Sequence, residues 1–305
     1  MKVFITGGTG FIGTHLIKNL QDSNHDILLL TLEGKEIPED FPVNIKTIKG
    51  NLSNIDKWQD KLERFQPDVA IHTAWEGLPN YDYKTSVRNL EYGLKFITML
   101  AEIGCKSVIC TGSCWEYGKK HGKISEDVMP VSTNAFTAAK NALNLMGQEI
   151  AKENNMNFIW TRLFYVYGPG QRSYSLIPHI INCIQKGKKP EIKTPGAKID
   201  FVYVEDVVNA ISMILEKCNK NTVYNIGSGH STSVKDVVEI VCENYDFDYK
   251  ISSDHQVNKS STDFWADISK IKKEIGWVPE TSMDKGIGRT IEHYYNKINQ
   301  RVKEV

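Results

Sequence analysis

The 305-residue sequence predicts an α/β fold, in which a doubly wound parallel sheet is followed by a smaller C-terminal α/β lobe. Two observations lead to this class. Short β-branched apolar runs alternate with stretches of helical period as far as about Gly168. The runs are apolar throughout instead of alternating with polar residues, which indicates strands buried on both faces. Such strands need helices on both faces of the sheet and right-handed crossovers between neighbours.

The predicted elements follow one another along the chain. Strands are expected at Val3–Thr6, Ile27–Leu32, Ile45–Lys49, Val69–Thr73, Ser107–Thr111 and Phe158–Leu163. Helices are expected at Ile12–Leu20, Ser86–Ile103 and Ala135–Ala151. A second series comprises helix Leu176–Lys186, strand Asp200–Val204, helix Asp206–Lys217, strand Val223–Gly227 and a terminal helix, Asp284–Ile298. The segment from Thr232 onward therefore predicts a small α/β cap.

The charge balance limits the partners. Lys and Arg together number 37, Asp and Glu together also number 37, and the formal net charge is zero. Without a net positive field we expect no nucleic-acid and no membrane partner. No apolar run approaches the ~20 residues of a membrane span, and Met1 leads directly into a strand instead of a secretory leader. We therefore expect a cytoplasmic protein.

The six cysteines show no metal-binding pattern. They are Cys105, Cys110, Cys114, Cys183, Cys218 and Cys242. None belongs to a Cys-x-x-Cys pair or lies at zinc-ligand spacing from a histidine. We therefore expect no metal site and interpret most of the cysteines as small buried thiols in a reducing compartment.

A Gly-rich turn lies between the first strand and the first helix. Gly7 permits the tight turn, Gly10 lets the backbone approach a pyrophosphate, and Gly13 allows close packing of helix on strand. The first helical N–H groups, including those of Phe11 and Ile12, then face the diphosphate. The order of strand, turn and helix predicts a dinucleotide site of the Rossmann type.

The tip of the second strand bears on the choice between NAD and NADP. A carboxylate there binds the adenosine ribose, whereas a basic residue accepts a 2′-phosphate. Thr31 stands where the carboxylate would be, while Glu33 could replace it and Lys35 could meet a phosphate. The cofactor is therefore NAD(P), with a slight preference for NADP(H).

Six motifs in order resemble the extended short-chain dehydrogenase/reductase family, the NAD(P)-dependent nucleotide-sugar epimerases, dehydratases and reductases. The resemblance covers essentially the whole chain. The motifs are Thr6-Gly7-x-x-Gly10-x-x-Gly13, Ile71-His72-Thr73-Ala74, Thr111-Gly112-Ser113-x-x-x-Tyr117-Gly118, Arg162-Leu163-Phe164-x-Val166-Tyr167-Gly168-Pro169-Gly170-Gln171, Asp200-Phe201-Val202-Tyr203-Val204-x-Asp206-Val207 and Gly276-Trp277-x-Pro279.

The resemblance implies two lobes with a ligand cleft between them. Residues 1–168 with 205–230 would form the dinucleotide-binding domain, and residues 169–204 with 231–305 the nucleotide-sugar lobe. Besides the glycine turn, the residues expected at the cofactor are Thr31, Glu33, Lys35, Asn51, Leu52, Thr73, Ala74, Trp75, Lys140 and Phe164. The helices Ser86–Ile103 and Ala135–Ala151 commonly pair across a two-fold axis in such folds, so we expect a homodimer.

In this family a Ser or Thr, a Tyr and a Lys carry protons beside the nicotinamide. The resemblance places the serine at Ser113 and the lysine at Lys140, but Phe136 stands at the tyrosine position four residues before Lys140. Phenylalanine has no proton to transfer. Three interpretations remain open: Phe136 replaced a catalytic tyrosine by design and impairs turnover, another acid replaces it, or the chain is a catalytically silent binder. The candidates for another acid are Cys114, Glu116, Tyr165 and Glu76.

The segment after Ser113 narrows the reaction. Dehydratases of the family carry an Asp-Glu pair there, and this chain has Cys114 and Trp115, which disfavours a 4,6-dehydratase. Glu116 is expected to point away from the site, because neighbouring side chains alternate at a strand end. It would then be a solvated or supporting carboxylate.

Further residues are expected at the substrate. They are Trp75, Glu76, Ser113, Cys114, Tyr165, Arg172, His179, Lys198 and Lys259. Tyr165 takes the place of a substrate-binding Asn, and Ile199 takes the place of the usual Arg before Asp200, which removes one diphosphate contact.

The leading functional hypothesis is reduction of a 4-keto-6-deoxy sugar that is linked to a nucleotide. A nucleotide-sugar 4-epimerase is the alternative enzyme. The alternative of another class is a silent dinucleotide-binding protein.

Overall fold

The computed structural model describes residues 1–38, 41, 45–249 and 263–303, with side chains as far as residue 296. The strands are β1 (Lys2–Thr6), β2 (Asp26–Thr31), β3 (Lys46–Lys49), β4 (Val69–His72), β5 (Ser107–Ser113), β6 (His121–Ile124), β7 (Asn157–Leu163), β8 (Tyr165–Tyr167), β9 (Lys198–Ile199), β10 (Phe201–Tyr203), β11 (Thr222–Ile226), β12 (Thr232–Ser233) and β13 (Asp263–Ala266). The α-helices are α1 (Phe11–Leu20), α2 (Gln59–Phe65), α3 (Tyr83–Glu102), α4 (Ala135–Glu153), α5 (Leu176–Gln185), α6 (Val204–Lys217), α7 (Val234–Glu243), α8 (Ser269–Ile275) and α9 (Met283–Lys303). Two 3₁₀ turns span Leu52–Lys57 and Cys114–Tyr117.

The main sheet has seven parallel strands in the order β11-β7-β5-β4-β1-β2-β3. The predicted doubly wound fold is therefore confirmed. The chain leaves β1 toward one edge of the sheet and β4 toward the other, so the order reverses between these two neighbours. A ligand crevice is expected at the carboxyl ends of the two strands on either side of such a reversal.

Helices cover both faces of this sheet, as the apolar strands require. Leu16 and Ile17 of α1 pack with Ile211 of α6 in the core on one face. Phe96 and Ile97 of α3 lie in the core on the other face with residues of α2 and α4. Each fully buried side chain of this size contributes roughly 1.5–3 kcal/mol relative to exposure.

The helices that carry the site begin at polar caps. Asp82 accepts a hydrogen bond from the Thr85 N–H, so α3 begins at Tyr83, three residues before the predicted start. Asn134 caps α4 through the Thr137 N–H at 2.9 Å. This cap fixes the first turn of α4, which carries Phe136.

The smaller lobe combines distant parts of the sequence. Its four-stranded sheet has the order β12-β9-β13-β6, and helices α5, α7 and α9 form a separate core with β8 and β10. Strand β6 was not predicted, since His121-Gly-Lys-Ile contains a single strongly apolar residue. It forms by parallel pairing with β13, so a strand from the first half of the chain belongs to the smaller lobe.

Asp200 joins the two lobes at the start of β10. Its side chain is fully buried and accepts hydrogen bonds from the Ser228 N–H, the Ser228 hydroxyl and the Gly229 N–H, just beyond β11. It also accepts the Ala266 N–H of β13 at 3.0 Å. Four donors therefore satisfy this carboxylate and tie the main sheet to the smaller sheet.

Candidate active site

The Gly-rich turn connects β1 to α1 as its sequence predicts. Gly7 has a φ of +76°, and its carbonyl accepts the Gly10 N–H at 2.9 Å. A Cβ at Gly13 would overlap the Gly7 carbonyl and the Cα of Gly8, so only glycine lets α1 lie this close to the turn. The helix N-terminus is thereby held at the end of the sheet.

A cavity of about 610 Å³ opens above this turn. A Cβ at Gly10 would meet a single atom within 4 Å, the Gly7 carbonyl oxygen, so a side chain there would occupy the cavity. The cavity runs from the second strand to the end of β4 and is lined by Phe11, Ile12, Thr73, Ala74 and Trp75. Its bare backbone, its helix N-terminus and its extent fit a dinucleotide.

Only some of the residues expected at the adenosine line this cavity. Lys35, Asn51 and Leu52 line the cavity. Thr31 is buried and directs its hydroxyl to the Ile48 carbonyl at 3.4 Å, and neither Thr31 nor Glu33 lines the cavity. Leu30, Leu32 and Gly50 also line it and were missed, although each adjoins a predicted position.

We call the cavity above the glycine turn the dinucleotide cavity, after the ligand that the sequence predicts. A second cavity of about 540 Å³, called the substrate cavity, adjoins it at Trp75. Ser113, Cys114, Phe136, Lys140 and Tyr165 all line it, together with Phe164. The structure therefore brings the three residues of the catalytic hypothesis to a single cleft, where the two lobes meet.

Lys140 points into the interior beneath this cleft. Its ammonium donates to the Thr111 carbonyl at 2.7 Å and lies 3.9 Å from the centre of the Trp75 ring. Burial lowers the pKa of Lys140 to about 8, while the charge of Glu116 works in the opposite direction. The ammonium is thus held by one carbonyl and one aromatic face.

Ser113 ends β5 at the wall of the same cavity. Its Oγ accepts the Trp115 N–H at 3.2 Å, and its own N–H donates to Oε1 of Glu116 at 2.7 Å. Besides accepting this bond, the hydroxyl has its own O–H donor, which can bond an acceptor in the cavity.

Phe136 lies inside an aromatic cluster instead of beside a polar group. Its ring packs edge-on against Trp75 at 5.5 Å, Tyr81 at 5.3 Å and Trp115 at 6.3 Å between centroids. Only 5% of Phe136 is exposed. Position 136 is therefore well packed, and its side chain has no hydroxyl proton to transfer.

The four alternative acids differ in their surroundings. Burial raises the pKa of the Cys114 thiol well above its ordinary value. Glu76 lines the dinucleotide cavity and pairs with Arg88 at 3.6 Å. The Tyr165 hydroxyl accepts the Trp115 indole N–H at 2.9 Å, and burial raises the pKa of Tyr165. Glu116 lies in the 3₁₀ turn and is fully buried, so the expected strand-end position and the solvated alternative are wrong, whereas it lines neither cavity, as expected for a supporting carboxylate.

The basic residues expected at the substrate are only partly brought to the cleft. Arg172 lines the dinucleotide cavity. His179 and Lys198 line neither cavity: His179 follows the lining residues of α5 by half a turn, and Lys198 alternates with Ile199, which does line the substrate cavity. Lys259 lies outside the described residues.

Loop residues that were not predicted as site residues complete the cleft. Leu78, Gln171 and Ser175 line both cavities, and Tyr81 lines the substrate cavity. They lie in the loops after β4 and β8, directly beyond residues that were predicted. Their nearness to Trp75 and Tyr165 in sequence was the available signal.

The described part of the chain has neither a membrane-spanning helix nor a metal cluster. None of the described helices combines the length and apolar character needed to cross a bilayer. No group of three or more His, Cys, Asp or Glu side chains among the described residues could hold a metal ion.

Comparison with known proteins identifies relatives along the whole chain. A model of the NAD dependent epimerase/dehydratase family matches residues 3–227. The chain is 27% identical over 304 residues to dTDP-4-dehydro-6-deoxyglucose reductase of Escherichia coli, covering 95% of this chain and 96% of that protein. It is 25% identical over 317 residues to a trifunctional UDP-glucose 4,6-dehydratase/UDP-4-keto-6-deoxy-D-glucose 3,5-epimerase/UDP-4-keto-L-rhamnose-reductase of Arabidopsis thaliana. That match covers 96% of this chain but 47% of the plant protein, so the chain spans about half the length of this relative.

A solved structure shows the same fold. It is a Tyr-to-Phe mutant of UDP-glucuronic acid 4-epimerase from Bacillus cereus, in complex with UDP-4-deoxy-4-fluoro-glucuronic acid and NAD. The TM-score is 0.84 at 23% identity, and the match covers 97% of this chain and 100% of that chain.

Proposed function

The chain belongs to the NAD-dependent epimerase/dehydratase family, and from this membership and its cleft we propose that it is an NAD(P)-dependent oxidoreductase acting on a nucleotide-linked sugar. The match of the family model to residues 3–227 confirms the resemblance that the six motifs predicted. The observation that carries the proposal is the meeting of Ser113 and Lys140 in one cavity that adjoins the glycine turn.

The dinucleotide would be held by the turn and the end of β4. Gly7 and Gly10 present bare backbone to the diphosphate, and Phe11 and Ile12 add the first N–H groups of α1. Thr73 and Ala74 border the middle of the cavity. When bound, the nicotinamide supplies or accepts a hydride.

Ser113 would hold the reacting oxygen of the sugar. Its hydroxyl proton can donate to a carbonyl oxygen, and that hydrogen bond strengthens as negative charge develops on the oxygen. Lys140 lies beneath the same cavity and would donate to the nicotinamide ribose through the N–H bonds that Thr111 leaves available. Ser113 and Lys140 would therefore bind and orient the sugar and the dinucleotide, and neither would supply the proton that a tyrosine at position 136 would transfer.

Phe136 is proposed to impair the proton step. Of the four alternative acids, Glu116 is fully engaged by neighbours, Cys114 is a weak proton donor because burial raises its pKa well above the ordinary value, and Glu76 lies beside the other cavity. Tyr165 retains a phenol in the substrate cavity, where burial raises its pKa as well. The packing of Phe136 on three aromatic rings supports a position shaped for a six-membered ring.

Reduction of a 4-keto-6-deoxy sugar is the proposed reaction. The wall of the substrate cavity is largely apolar and includes Trp115, Phe164, Leu176 and Phe201. A methyl group at C6 suits such a wall, whereas a hydroxyl there would lose hydrogen bonds to water. Cys114 and Trp115 at the dehydratase positions support this choice over elimination of water.

The experiment that tests the proposal follows the dinucleotide and the sugar separately. With a 4-keto-6-deoxy nucleotide sugar, net consumption of added NADPH or NADH in the chain or in its Phe136→Tyr variant supports a reductase. Epimer formation without net redox change supports a 4-epimerase instead. Dinucleotide binding with no change of any nucleotide sugar in either protein supports a silent binder.

Separate observations support proposals for the compartment, the cofactor preference and the oligomeric state. All six cysteines are free, which suits a reducing, cytoplasmic compartment. Lys35 lines the dinucleotide cavity while Glu33 does not, which supports NADP(H). Exposed apolar side chains lie on the paired helices α3 and α4, among them Val87 and Leu145, and support a homodimer through this face.

A further inference from the structure

Glu116 is a fully buried carboxylate three residues beyond the candidate catalytic serine. It lies in the 3₁₀ turn Cys114–Tyr117, which follows β5 directly. This turn bends the chain back, so the Glu116 side chain returns toward Ser113 instead of alternating away from it. A charge in this position needs partners, because burial of an unpaired carboxylate costs several kcal/mol.

Three N–H donors surround the Glu116 carboxylate. Oε1 accepts the backbone N–H of Ser113 at 2.7 Å. The indole N–H of Trp160 lies 3.1 Å from Oε1 and 3.0 Å from Oε2, and Nε of Arg162 donates to Oε2 at 2.9 Å. The carboxylate therefore links the end of β5 to two neighbouring side chains of β7.

The backbone around Ser113 is adapted to this carboxylate. A Cβ at Gly112 would lie 2.5 Å from Oε1 of Glu116 and would overlap the Trp160 indole nitrogen. Arg162 is itself fixed, since its Nη1 donates to the Tyr117 hydroxyl at 3.0 Å. The position of Ser113 thus depends on a buried network and not on its own strand alone.

One aromatic ring separates the same carboxylate from Lys140: the Lys140 ammonium lies 5.7 Å from the centre of the Trp160 ring, and the Trp160 indole N–H donates to Glu116. Burial lowers the pKa of Lys140 to about 8, and Glu116 is the main group that counteracts this effect, followed by Cys110 of β5. The other recorded contacts of Lys140 within the described residues bring no negative charge: Lys140 faces the rings of Trp75 and Trp160, and burial keeps His72 of β4 neutral by lowering its pKa to about 3.

We propose that Glu116 is a positioning residue that fixes the backbone of Ser113 and supplies a counter-charge to Lys140 across the Trp160 ring. The catalytic meaning of this role rests on the proposed function, since Ser113 and Lys140 form the reactive pair only there. The physical role does not, because both effects can be measured without dinucleotide or sugar.

NMR of protein labelled with ¹³C at the lysine ε-carbons tests the effect on charge. The Lys140 resonance is assigned with Lys140→Arg, and its titration midpoint is compared between the native chain and Glu116→Gln. We expect the midpoint to fall by about one pH unit, the order of effect that a nearby charge has on a pKa. Glu126→Gln is the matched control, because that carboxylate bonds the Asn225 N–H and lies in neither cavity. Equal midpoints in the native chain and Glu116→Gln would overturn the proposal.

Glu116→Gln removes the buried ion-pair partner of Arg162 and can therefore unfold the protein. A second variant keeps the test decisive in that case. Glu116→Gln/Arg162→Gln removes both charges, and we expect a smaller fall in the Lys140 midpoint, because loss of the Arg162 charge works in the opposite direction. Glu116→Asp keeps the charge on a shorter side chain, so the midpoint should stay near the native value while the Ser113 amide exchanges its hydrogen faster. Unchanged exchange at Ser113 in Glu116→Asp and in Glu116→Gln would disprove the positioning role.

Kinetics separates this inference from the proposed function. In the Phe136→Tyr background we expect Glu116→Asp to lower kcat with little change in the KM for the nucleotide sugar. If Phe136→Tyr shows no turnover, the proposed function is wrong, while the NMR and exchange measurements still decide the role of Glu116.

Discussion

Phe136 packs edge-on against Trp75, and the ring planes meet at 87°. Trp75 in turn presents its ring face to the Lys140 ammonium. Lys140 and the ring of Phe136 therefore lie close together, one helical turn apart on α4, but this ring carries no hydroxyl group. We expect Phe136→Tyr to raise turnover of a nucleotide sugar by roughly 10²–10⁴-fold, the usual contribution of a positioned proton donor. Steady-state kinetics checks this, and affinity for the sugar should hardly change.

The gain should depend on Lys140. A Phe136→Tyr/Lys140→Met variant should lose it, because the phenol then lacks the neighbouring charge that raises its acidity. A Phe136→Tyr rate no higher than that of the present chain would rule out impairment at this position. Useful turnover in the present chain would favour another acid, with Tyr165 as the first candidate.

Substitution of Gly13 should abolish dinucleotide binding. In Gly13→Ala, the new Cβ overlaps the Gly7 carbonyl and forces α1 away from the turn. Isothermal titration with NADH and NADPH measures the loss. Gly288→Ala is the matched control, since the nearest atom to a Cβ there is 3.8 Å away and that glycine lies on α9. Unchanged affinity in folded Gly13→Ala would refute the assignment of the turn.

Lys35 should distinguish the two cofactors. Its ammonium lies 3.4 Å from the Thr9 carbonyl at the edge of the dinucleotide cavity. We expect Lys35→Ala to weaken NADPH more than NADH, because only NADPH carries a 2′-phosphate. Lys46→Ala serves as control, since Lys46 pairs with Asp26 and does not line the cavity. Equal losses for both cofactors would contradict the preference for NADP(H).

His72 should make the fold sensitive to acid. Burial lowers the pKa of His72 to about 3, so below pH 6.5 the unfolded chain binds a proton that the folded chain resists. Stability present above pH 6.5 is therefore lost as the pH falls toward 3, with a slope of up to about 1.4 kcal/mol per pH unit from this group. Denaturant unfolding between pH 7 and 4 should show a shallower slope for His72→Asn, whose amide can still bond the Thr6 hydroxyl. The exposed His121→Asn should keep the native slope, and equal slopes for all three proteins would contradict the prediction.

The face formed by α3 and α4 should mediate the dimer. Val87 is 58% exposed and Leu145 is 65% exposed, although both are apolar. Light scattering of the native chain should give twice the 34.6 kDa chain mass. Val87→Glu/Leu145→Glu should give the single mass, whereas Tyr295→Glu on α9 should not. A native monomer would disprove the expected homodimer.

Sequence reasoning succeeded where the information is local. The turn of Gly7, Gly10 and Gly13 and the spacing of Phe136 and Lys140 depend on residues within one or two turns of each other, so their relative placement follows from φ/ψ limits and helix geometry. The main strands were predicted because their apolar runs reflect burial on both faces.

The features that escaped prediction depend on distant partners. Strand β6 has little propensity of its own and forms through pairing with β13. Glu116 folds back because Trp160 and Arg162, far along the chain, provide donors for its carboxylate. Tyr81 reaches the substrate cavity through a loop whose path no periodicity encodes. In each case tertiary contacts decided the structure.

Asp200 also bears on how the cleft can move. Because its four hydrogen bonds fasten the main sheet to the smaller sheet beside the cleft, we expect this joint to resist relative motion of the two lobes. The loops after β4 and β8 approach each other where the Tyr174 hydroxyl lies 3.5 Å from the Leu78 carbonyl. We therefore expect movement of these two loops to control the rate of ligand exchange.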